Sequence, residues 1–468
     1  MKSIEQNKII SSLIFSILNF ILALILINSK SNINLSTYLS TIQLVIGVLF
    51  IKINKSKLIS IAIIFLLLSY LFHFGQAVII AYGFRDIYAH RSVLSLTSPD
   101  LFLGAINFAM ISNYFLTIGI VWSKSYKRII MKTDNDEESM LKTIRTISLI
   151  ILVLTFIPLV YLDIQKIIAV KISGYMSTYE TYAFGINKYL NLIAQFARPA
   201  LTMLLVSYKK NRKAANFVFG ISSVYFAVMM LSGDRGTNMI YLLTNIFVYY
   251  KIIKKIKTRA IIVASILAYF FIGLVSTISI LRDTSEISMA GLLYYYNYRS
   301  SDGIIYSVLR EFGATIKTLI YAMQFTPEIS DYNYGLTYLL SWLNISPKLP
   351  EQVVNYLSYS STFTKSFPIE YQDSLGGSYL GELYYNFGWL GSFISMLIGR
   401  FIGSIDDIIE DSIRYNNWLI FSLLMILVPN IMLWVRGYFV ELLFLGFWMG
   451  LITLVLYDVL SRKQRKLV

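Results

Sequence analysis

Long apolar runs follow one another along nearly the whole chain, and most have the length that crosses a membrane as a helix. The hydrocarbon core of a bilayer is about 30 Å thick and needs roughly 20 apolar residues per helical crossing. Of the 468 residues, 56% are hydrophobic and only 14% are charged, a balance far too apolar for a soluble globular protein. The sequence therefore predicts an all-α, polytopic membrane protein.

The apolar runs predict twelve transmembrane helices and one long loop that contains interfacial helices. Nine spans fall within residues 1–280 and three within 379–468, so the loop covers residues 281–378. The predicted spans are 9–28, 34–53, 58–82, 101–122, 146–169, 189–208, 214–232, 237–250, 260–280, 379–403, 417–435 and 437–457.

The distribution of lysine and arginine predicts the orientation, because cytoplasmic loops retain these residues. With the amino terminus inside, the cytoplasmic segments hold 26 of the 41 Lys and Arg residues. Both termini are therefore predicted to be cytoplasmic, and loop 281–378 to lie outside the cytoplasmic membrane. This bias and contact with anionic membrane lipid explain the net charge of +15, so no nucleic-acid partner is expected.

Several classes of site are disfavoured by composition. The chain has no cysteine and two histidines, His73 and His90, which leaves few ligands for zinc. It also lacks the glycine- and lysine-containing loop that binds nucleotide phosphates. We therefore expect neither a metal nor another cofactor.

The long loop contains an amphipathic pattern over residues 303–325. Tyr306, Arg310, Gly313 and Lys317 recur at helical spacing, opposite a stripe of apolar residues. Charges near the centre of a span are costly, so we expect this helix to lie in the outer interface. A helix with a merely solvated cationic face has the same pattern. The apolar run 336–345, which includes Trp342, is too short to cross and is predicted to be re-entrant or surface-lying.

The loop returns to the membrane through residues 376–391, GGSYLGELYYNFGWLG. Glu382 lies about one turn inside the predicted span, where a carboxylate is expensive unless it faces a polar cavity or a partner. It is a candidate functional acid, and a structural ion pair with an outer arginine is the alternative. Tyr384, Tyr385 and Trp342 could stack on sugar rings or belong to the aromatic belt of the interface.

Arginines from distant parts of the chain are predicted on the same side as the loop. Arg235 lies in the turn SGDRG at 232–236, and Arg436 lies between the last two spans. Guanidinium groups bind phosphates through paired hydrogen bonds, so arginines converging with Arg310 favour a pyrophosphate ligand over a neutral solute.

The order of these motifs resembles the O-antigen polymerase (Wzy) family of oligosaccharide repeat-unit polymerases. It is carried, over roughly residues 230–440, by SGDRG, then REFGATIKTL, YGLTYLL, SPKLP and GGSYLGELYYNFGWLG, followed by the outer Arg436. The resemblance implies a glycosyltransferase that polymerises undecaprenyl-pyrophosphate-linked repeat units into a surface polysaccharide, O-antigen of lipopolysaccharide or capsule. A flippase and a chain-length regulator are partners consistent with that activity.

Glycosyl transfer from a lipid pyrophosphate needs cations on the leaving group and a carboxylate for the proton of the acceptor hydroxyl. The site residues predicted on this chemistry are Arg235, Arg310, Arg436 and Lys317 for the pyrophosphates, Glu382 or Glu311 as the base, and Tyr384, Tyr385 and Trp342 for the sugars.

Two other functions use similar architectures. A flippase or transporter of lipid-linked oligosaccharides also has about a dozen spans, but its sites should lie near the midplane, where a long outer loop contributes nothing. An O-antigen ligase has a similar outer loop, but the histidine expected there is missing, since His73 and His90 both lie outside 281–378.

Overall fold

The computed structural model describes residues 2–28, 32–55, 59–83, 97–124, 137–173, 185–231, 235–254, 303–346, 351–372 and 375–465. Within these ranges every regular element is helical. The α-helices are α1 (Lys2–Asn28), α2 (Ile33–Lys55), α3 (Ile61–Ala81), α4 (Pro99–Val121), α5 (Glu137–Ser173), α6 (Gly185–Ala194), α7 (Ala197–Ser207), α8 (Arg212–Leu231), α9 (Arg235–Val248), α10 (Ile304–Gly313), α11 (Ile316–Phe325), α12 (Leu336–Leu343), α13 (Glu351–Ser361), α14 (Ile369–Gln372), α15 (Tyr379–Phe387), α16 (Gly391–Arg414), α17 (Trp418–Trp434) and α18 (Phe439–Arg465).

Serine caps mark where several of these helices begin. Ser60 accepts a hydrogen bond from the backbone N–H of Ile63 at 3.2 Å, and Ser98 precedes Pro99 at the start of α4. Serine at this position satisfies a backbone donor that the first turn cannot pair internally. In hydrocarbon such donors must be satisfied within the protein, so the caps matter more in a membrane than in water.

Nine helical stretches in the described residues are long and apolar enough to cross a membrane. They confirm the fold class, a multi-pass all-α membrane protein, and include the predicted span 34–53 as α2. Helix α17 matches the span 417–435 but is shorter than the others, and α9 has 14 residues where the span 237–250 was predicted. The predicted span 260–280 lies outside the described residues.

The amphipathic segment 303–325 was predicted as one helix, and this prediction was wrong. The structure has two helices, α10 and α11, separated by a turn at residues 314–315. The predicted apolar face is also not uniformly buried, since Ile305 is 60% exposed while Tyr306 on the opposite stripe is buried. The short run 336–345 contains α12, whose eight residues rise about 12 Å and cannot cross a membrane.

The predicted span 379–403 is interrupted within the part that was expected to be continuous. Helix α15 ends at Phe387, a 3-10 turn covers Gly388–Leu390, and α16 continues from Gly391. Gly388 has φ of +56°, a conformation that other residues rarely adopt. The returning segment is therefore a short helix followed by a long one.

The chain divides into two compact units. Unit 1 comprises Met1–Tyr126, Val308–Ile408 and Trp434–Leu443. Within it, α2 packs against α1, α3 and α4, and α11 packs against α3, α4 and α15. At one end of this unit Lys55 pairs with Asp407, which also accepts a hydrogen bond from Ser123 at 2.7 Å.

Unit 2 comprises Lys127–Ser307, Ile409–Leu433 and Phe444–Val468. Within it, α5 packs against α6 and α7, and α8 packs against α9. Glu137 accepts hydrogen bonds from Lys209 and from the Trp418 indole, each at 2.9 Å. The predicted division at residues 281 and 378 remains a prediction, and the loop residues 308–378 belong to the same unit as the first helices.

Candidate functional site

Helix α10, which carries Arg310, is held closely against α3. A Cβ atom added to Gly75 would lie 2.6 Å from the carbonyl oxygen of Leu309 and 2.9 Å from Cα of Gly313, so only glycine allows this approach. The Gln76 amide donates a hydrogen bond to the backbone carbonyl of Arg310 at 2.7 Å. These contacts fix the position of the Arg310 backbone on unit 1.

Arg436 reaches the same helix from the turn between α17 and α18. Its guanidinium group lies 5.7 Å from the centroid of the Phe72 ring, a cation–π geometry. Phe72 is in turn packed edge-on against Phe312 of α10, with ring centroids 5.4 Å apart. Helix α3 therefore contacts both α10, the helix that carries Arg310, and the side chain of Arg436. The Arg436 side chain is otherwise exposed.

Lys317 joins this arrangement through the residue that follows it. Thr318 donates a hydrogen bond to the carbonyl oxygen of Gly376 at 2.9 Å, and a Cβ on Gly377 would lie 2.6 Å from the carbonyl oxygen of Gly437. The start of the return segment is thus fitted between α11 and the Arg436 turn. Burial lowers the pKa of Lys317, whose ammonium lies 5.3 Å from the ring centroid of Tyr321.

We call Arg310, Lys317 and Arg436 the cationic cluster. Their elements converge on α3 and on the start of the return segment, although the three residues are separated by up to 126 positions in the sequence. Elements that carry cations are thus brought together, and two of the three residues are arginines, a side chain that can bind phosphate in a paired geometry.

Arg235, the fourth predicted phosphate ligand, is the first residue of α9 and belongs to unit 2. Its predicted convergence with the cationic cluster stays a prediction.

Glu382 on α15 is completely buried, and its carboxylate binds both α12 and the start of α18. Its Oε1 accepts a hydrogen bond from the Thr337 hydroxyl at 2.9 Å, and its Oε2 accepts one from the backbone N–H of Phe439 at 3.0 Å. Phe439 is the first residue of α18, so the carboxylate satisfies a free donor at a helix amino terminus. In the described part of the chain, no Lys or Arg forms an ion pair with Glu382.

Asn386 completes this buried arrangement one turn after Glu382. Its amide nitrogen donates to the Thr337 hydroxyl oxygen at 2.8 Å, and its amide oxygen accepts from the backbone N–H of Gly335 at 2.9 Å. Burial and the nearby Glu382 carboxylate raise the pKa of Tyr338 well above its ordinary value, so this phenol stays protonated. The interactions of Glu382 and Asn386 dock the start of α12 onto α15.

His73, which the sequence analysis gave no role in the site, contacts the return segment at Ser378. Its Nδ1 faces the Ser69 carbonyl at 2.9 Å and therefore carries the proton in the neutral ring, which leaves Nε2 to accept from the Ser378 hydroxyl at 2.9 Å. Ser378 also caps α15 by accepting from the backbone N–H of Gly381 at 3.1 Å. A histidine within an apolar span is itself a signal of such a role.

The remaining predicted residues differ in exposure. Tyr384 and Tyr385 are 6% and 8% exposed, with Tyr384 packed on Phe108 and Tyr385 on Phe363. Trp342 on α12 is 54% exposed, and Glu311 on α10 is also exposed. Of the three predicted sugar-binding aromatics, Trp342 thus presents the most accessible ring.

Comparison with known proteins extends the resemblance over almost the whole chain. The family model described as O-antigen polysaccharide polymerase Wzy matches residues 8–465, well beyond the roughly 230–440 over which the motifs carry the resemblance. No curated protein and no solved structure matches the chain. The chain belongs to the O-antigen polysaccharide polymerase Wzy family, and it is an O-antigen repeat-unit polymerase.

Proposed function

We propose that this polymerase uses undecaprenyl-pyrophosphate-linked glycans as donors and that the cationic cluster binds their pyrophosphate. The family acts on lipid-linked oligosaccharide repeat units in membranes. In the transfer, the bond between the anomeric carbon and the pyrophosphate oxygen breaks and a bond to the acceptor hydroxyl oxygen forms. The hydroxyl proton passes to a base, and the lipid pyrophosphate leaves as an anion.

The observation that supports this proposal is the convergence of the elements that carry Arg310, Lys317 and Arg436 around α3 and the return segment. Charge develops on the pyrophosphate oxygens as the glycosidic bond breaks, and fixed cations stabilise that charge more than they stabilise the ground state. Arg235 is proposed as a further pyrophosphate ligand. No metal ion or other cofactor is required by this scheme.

Of the two candidate bases, we favour Glu311. Its side chain is exposed on α10, where an acceptor hydroxyl can approach to hydrogen-bonding distance. Glu382 is buried, and both of its carboxylate oxygens already accept hydrogen bonds within the protein. These contacts support a positioning role for Glu382, which holds α12 and the start of α18 beside α15.

Trp342 is the proposed stacking surface for sugar rings, since its exposed ring lies on α12 near the Glu382 contacts. Tyr384 and Tyr385 are proposed as the packed layer that supports this region. Helix α12 exposes Leu339 and Leu343 as well, while its polar Thr337 is buried. An apolar exposed face on so short a helix favours a position in the membrane interface.

We further propose that the site faces outward from the cytoplasmic membrane and that both termini are cytoplasmic. The supporting observation is the excess of Lys and Arg in the segments between α2 and α3, α4 and α5, and α7 and α8. A flippase would then deliver the lipid-linked units to this face, and a chain-length regulator would act on the growing product.

Arg310→Ala and Arg436→Ala test the proposed pyrophosphate site. A hydrogen bond to a charged group is worth about 1.5–3 kcal/mol, so each change is expected to lower polymerisation by roughly 10- to 150-fold. Arg414→Ala is the matched control, because Arg414 is an exposed arginine at the end of α16, with 67% of its side chain accessible. Product length on gels, at equal protein level, is the readout. Wild-type ladders from both cluster variants would show that the site is elsewhere.

A further inference from the structure

Unit 1 contains an open groove of about 700 Å³ between α1, α2 and α4, closed on one side by Trp389. Its wall is largely aromatic and aliphatic, with Phe20, Ile27, Phe115 and Trp389 among the lining residues. This volume is in the usual range for a ligand site, roughly 300–1,000 Å³. We propose that the groove binds the polyisoprenoid chain of the lipid-linked glycan, an inference that rests on the proposed lipid-pyrophosphate donor.

The groove lies toward the same end of unit 1 as the cationic cluster. Ile27 is near the end of α1, which is followed within a few residues by the start of α2. Near that start, the Tyr38 hydroxyl donates to the carbonyl of Ala81 at the end of α3. Gln76, about one turn earlier on α3, holds the backbone of Arg310. The groove and the cluster therefore lie toward the same end of these helices, which is the arrangement that a lipid with its pyrophosphate on the cluster and its chain in the groove requires.

An aromatic connection runs from the groove wall to the candidate site. The ring centroid of Trp389 lies 5.6 Å from that of Phe108 and 6.4 Å from that of Tyr384. Tyr384 lies in turn 6.4 Å from Tyr332 in the loop. The wall of the groove at Trp389 is thus packed against Tyr384 of α15, the helix that carries Glu382.

The chemistry of the lining suits an apolar chain. Its polar members pair with one another in two places, where the Ser16 and Tyr114 hydroxyls are 2.8 Å apart and Gln43 donates to the Asn19 amide oxygen at 2.7 Å. These pairs reduce the demand for a polar ligand. A methyl-branched, unsaturated chain is thicker than a straight acyl chain, and it makes more dispersion contacts with a wide aromatic wall.

Photolabelling of the purified full-length protein in phospholipid nanodiscs tests the occupant. One probe is undecaprenyl diphosphate with a diazirine in its chain, and the comparison probe is a phospholipid with a diazirine in its acyl chain. We expect the first probe to label residues 16–27 and 107–115, with labelling removed by unmodified undecaprenyl diphosphate and not by phospholipid. Equal labelling by both probes without such competition would mean that ordinary membrane lipid fills the groove, and would overturn the proposal.

Ala23→Trp provides a second test, because Ala23 lines the groove. We expect at least a tenfold loss of competitive labelling and a higher KM for lipid-linked repeat unit, with kcat little changed. Ile21→Trp is the control on nearly the opposite face of α1, at a side chain that is 45% exposed.

The two proposals fail in different ways. If Ala23→Trp folds, labels and polymerises like the wild type, the groove proposal is wrong even where Arg310→Ala abolishes polymer. If Arg310→Ala polymerises normally, the proposed pyrophosphate site is wrong whatever the labelling shows.

Discussion

Glu382 connects three helices through two hydrogen bonds, one from a side chain of α12 and one from the backbone at the start of α18. Removing the carboxylate would leave the Thr337 hydroxyl and the Phe439 N–H buried without this acceptor. An unsatisfied buried polar group costs about 1–3 kcal/mol. The residue therefore stabilises the arrangement of the site, whether or not it ever exchanges a proton.

Glu382→Gln and Glu382→Ala separate this positioning role from base catalysis. A glutamine can still accept from the Phe439 N–H but leaves the Thr337 hydroxyl proton without its acceptor, so we expect polymer of normal length and a loss of about 1–3 kcal/mol for that one group. The alanine variant should lose about 1–3 kcal/mol for each stranded group and should polymerise poorly. Thermal unfolding and product length are the measurements. Loss of polymer in a glutamine variant that stays folded at the assay temperature would instead identify Glu382 as the proton acceptor.

Lys317 predicts a pH dependence of substrate binding. Burial lowers its pKa from the ordinary value of 10.5, so it loses its charge at a lower pH than a lysine free in water. The KM for lipid-linked repeat unit should rise as the pH rises through that lowered pKa, because the neutral amine does not attract pyrophosphate. Lys317→Arg should remove the rise, since a guanidinium stays charged. A KM that rises equally in the arginine variant would contradict the role given to Lys317.

The sequence indicated which residues belong to the candidate site better than it indicated which residues they contact. An acid within an apolar span marked Glu382 before its surroundings were known, because such a group is costly without a partner. Thr337 and Phe439 are 45 and 57 residues away from it, and no local pattern specifies contacts at that separation. His73 was missed for the same reason, since Ser378 lies 305 residues away.

Helix α3 is the element that organises the site. Its Phe72 contacts Arg436, its His73 contacts the start of α15, and its Gly75 and Gln76 contact α10. Small and polar residues at a helix interface allow close backbones and hydrogen bonds within a membrane. Although its sequence is a nearly uniform apolar run, α3 therefore contacts the Arg436 side chain, the start of α15 and α10.

Gly377→Ala tests whether the close packing of the return segment matters. The new Cβ would lie 2.6 Å from the carbonyl oxygen of Gly437, and this backbone cannot rotate away as a side chain can. We expect a loss of about 1–3 kcal/mol and lower polymerisation, because the Arg436 turn would be displaced. Gly104→Ala is the matched control, as its nearest neighbour is the methyl group of Met323 at 4.0 Å. Equal thermal stability and activity of the two variants would contradict this account.

The helices were predictable from the sequence where hydropathy alone determines their position. An apolar run of membrane length becomes a span, which is why α1 to α4 agree with the predicted positions. The break at Gly388 and the turn at residues 314–315 depend on tertiary packing, so hydropathy and helical periodicity did not reveal them. The identity of the buried face of α10 was likewise decided by its neighbours on α3.

At the scale of the whole molecule, the orientation can be tested by sided labelling, because the chain has no native cysteine. Ile369→Cys in the loop, at a side chain that is 80% exposed, should react with a membrane-impermeant maleimide in intact spheroplasts. Arg414→Cys should react only after permeabilisation. The reverse pattern would show that loop 281–378 is cytoplasmic.

The most direct test of the central claim is the product made by purified protein in liposomes from a lipid-linked repeat unit alone. We predict a ladder that increases by whole repeat units and that shortens or disappears in Arg310→Ala and Arg436→Ala but not in Arg414→Ala. The same ladder in the wild type and in both cluster variants would contradict the pyrophosphate site, and single repeat units from the wild-type protein would contradict polymerisation from lipid-linked donors.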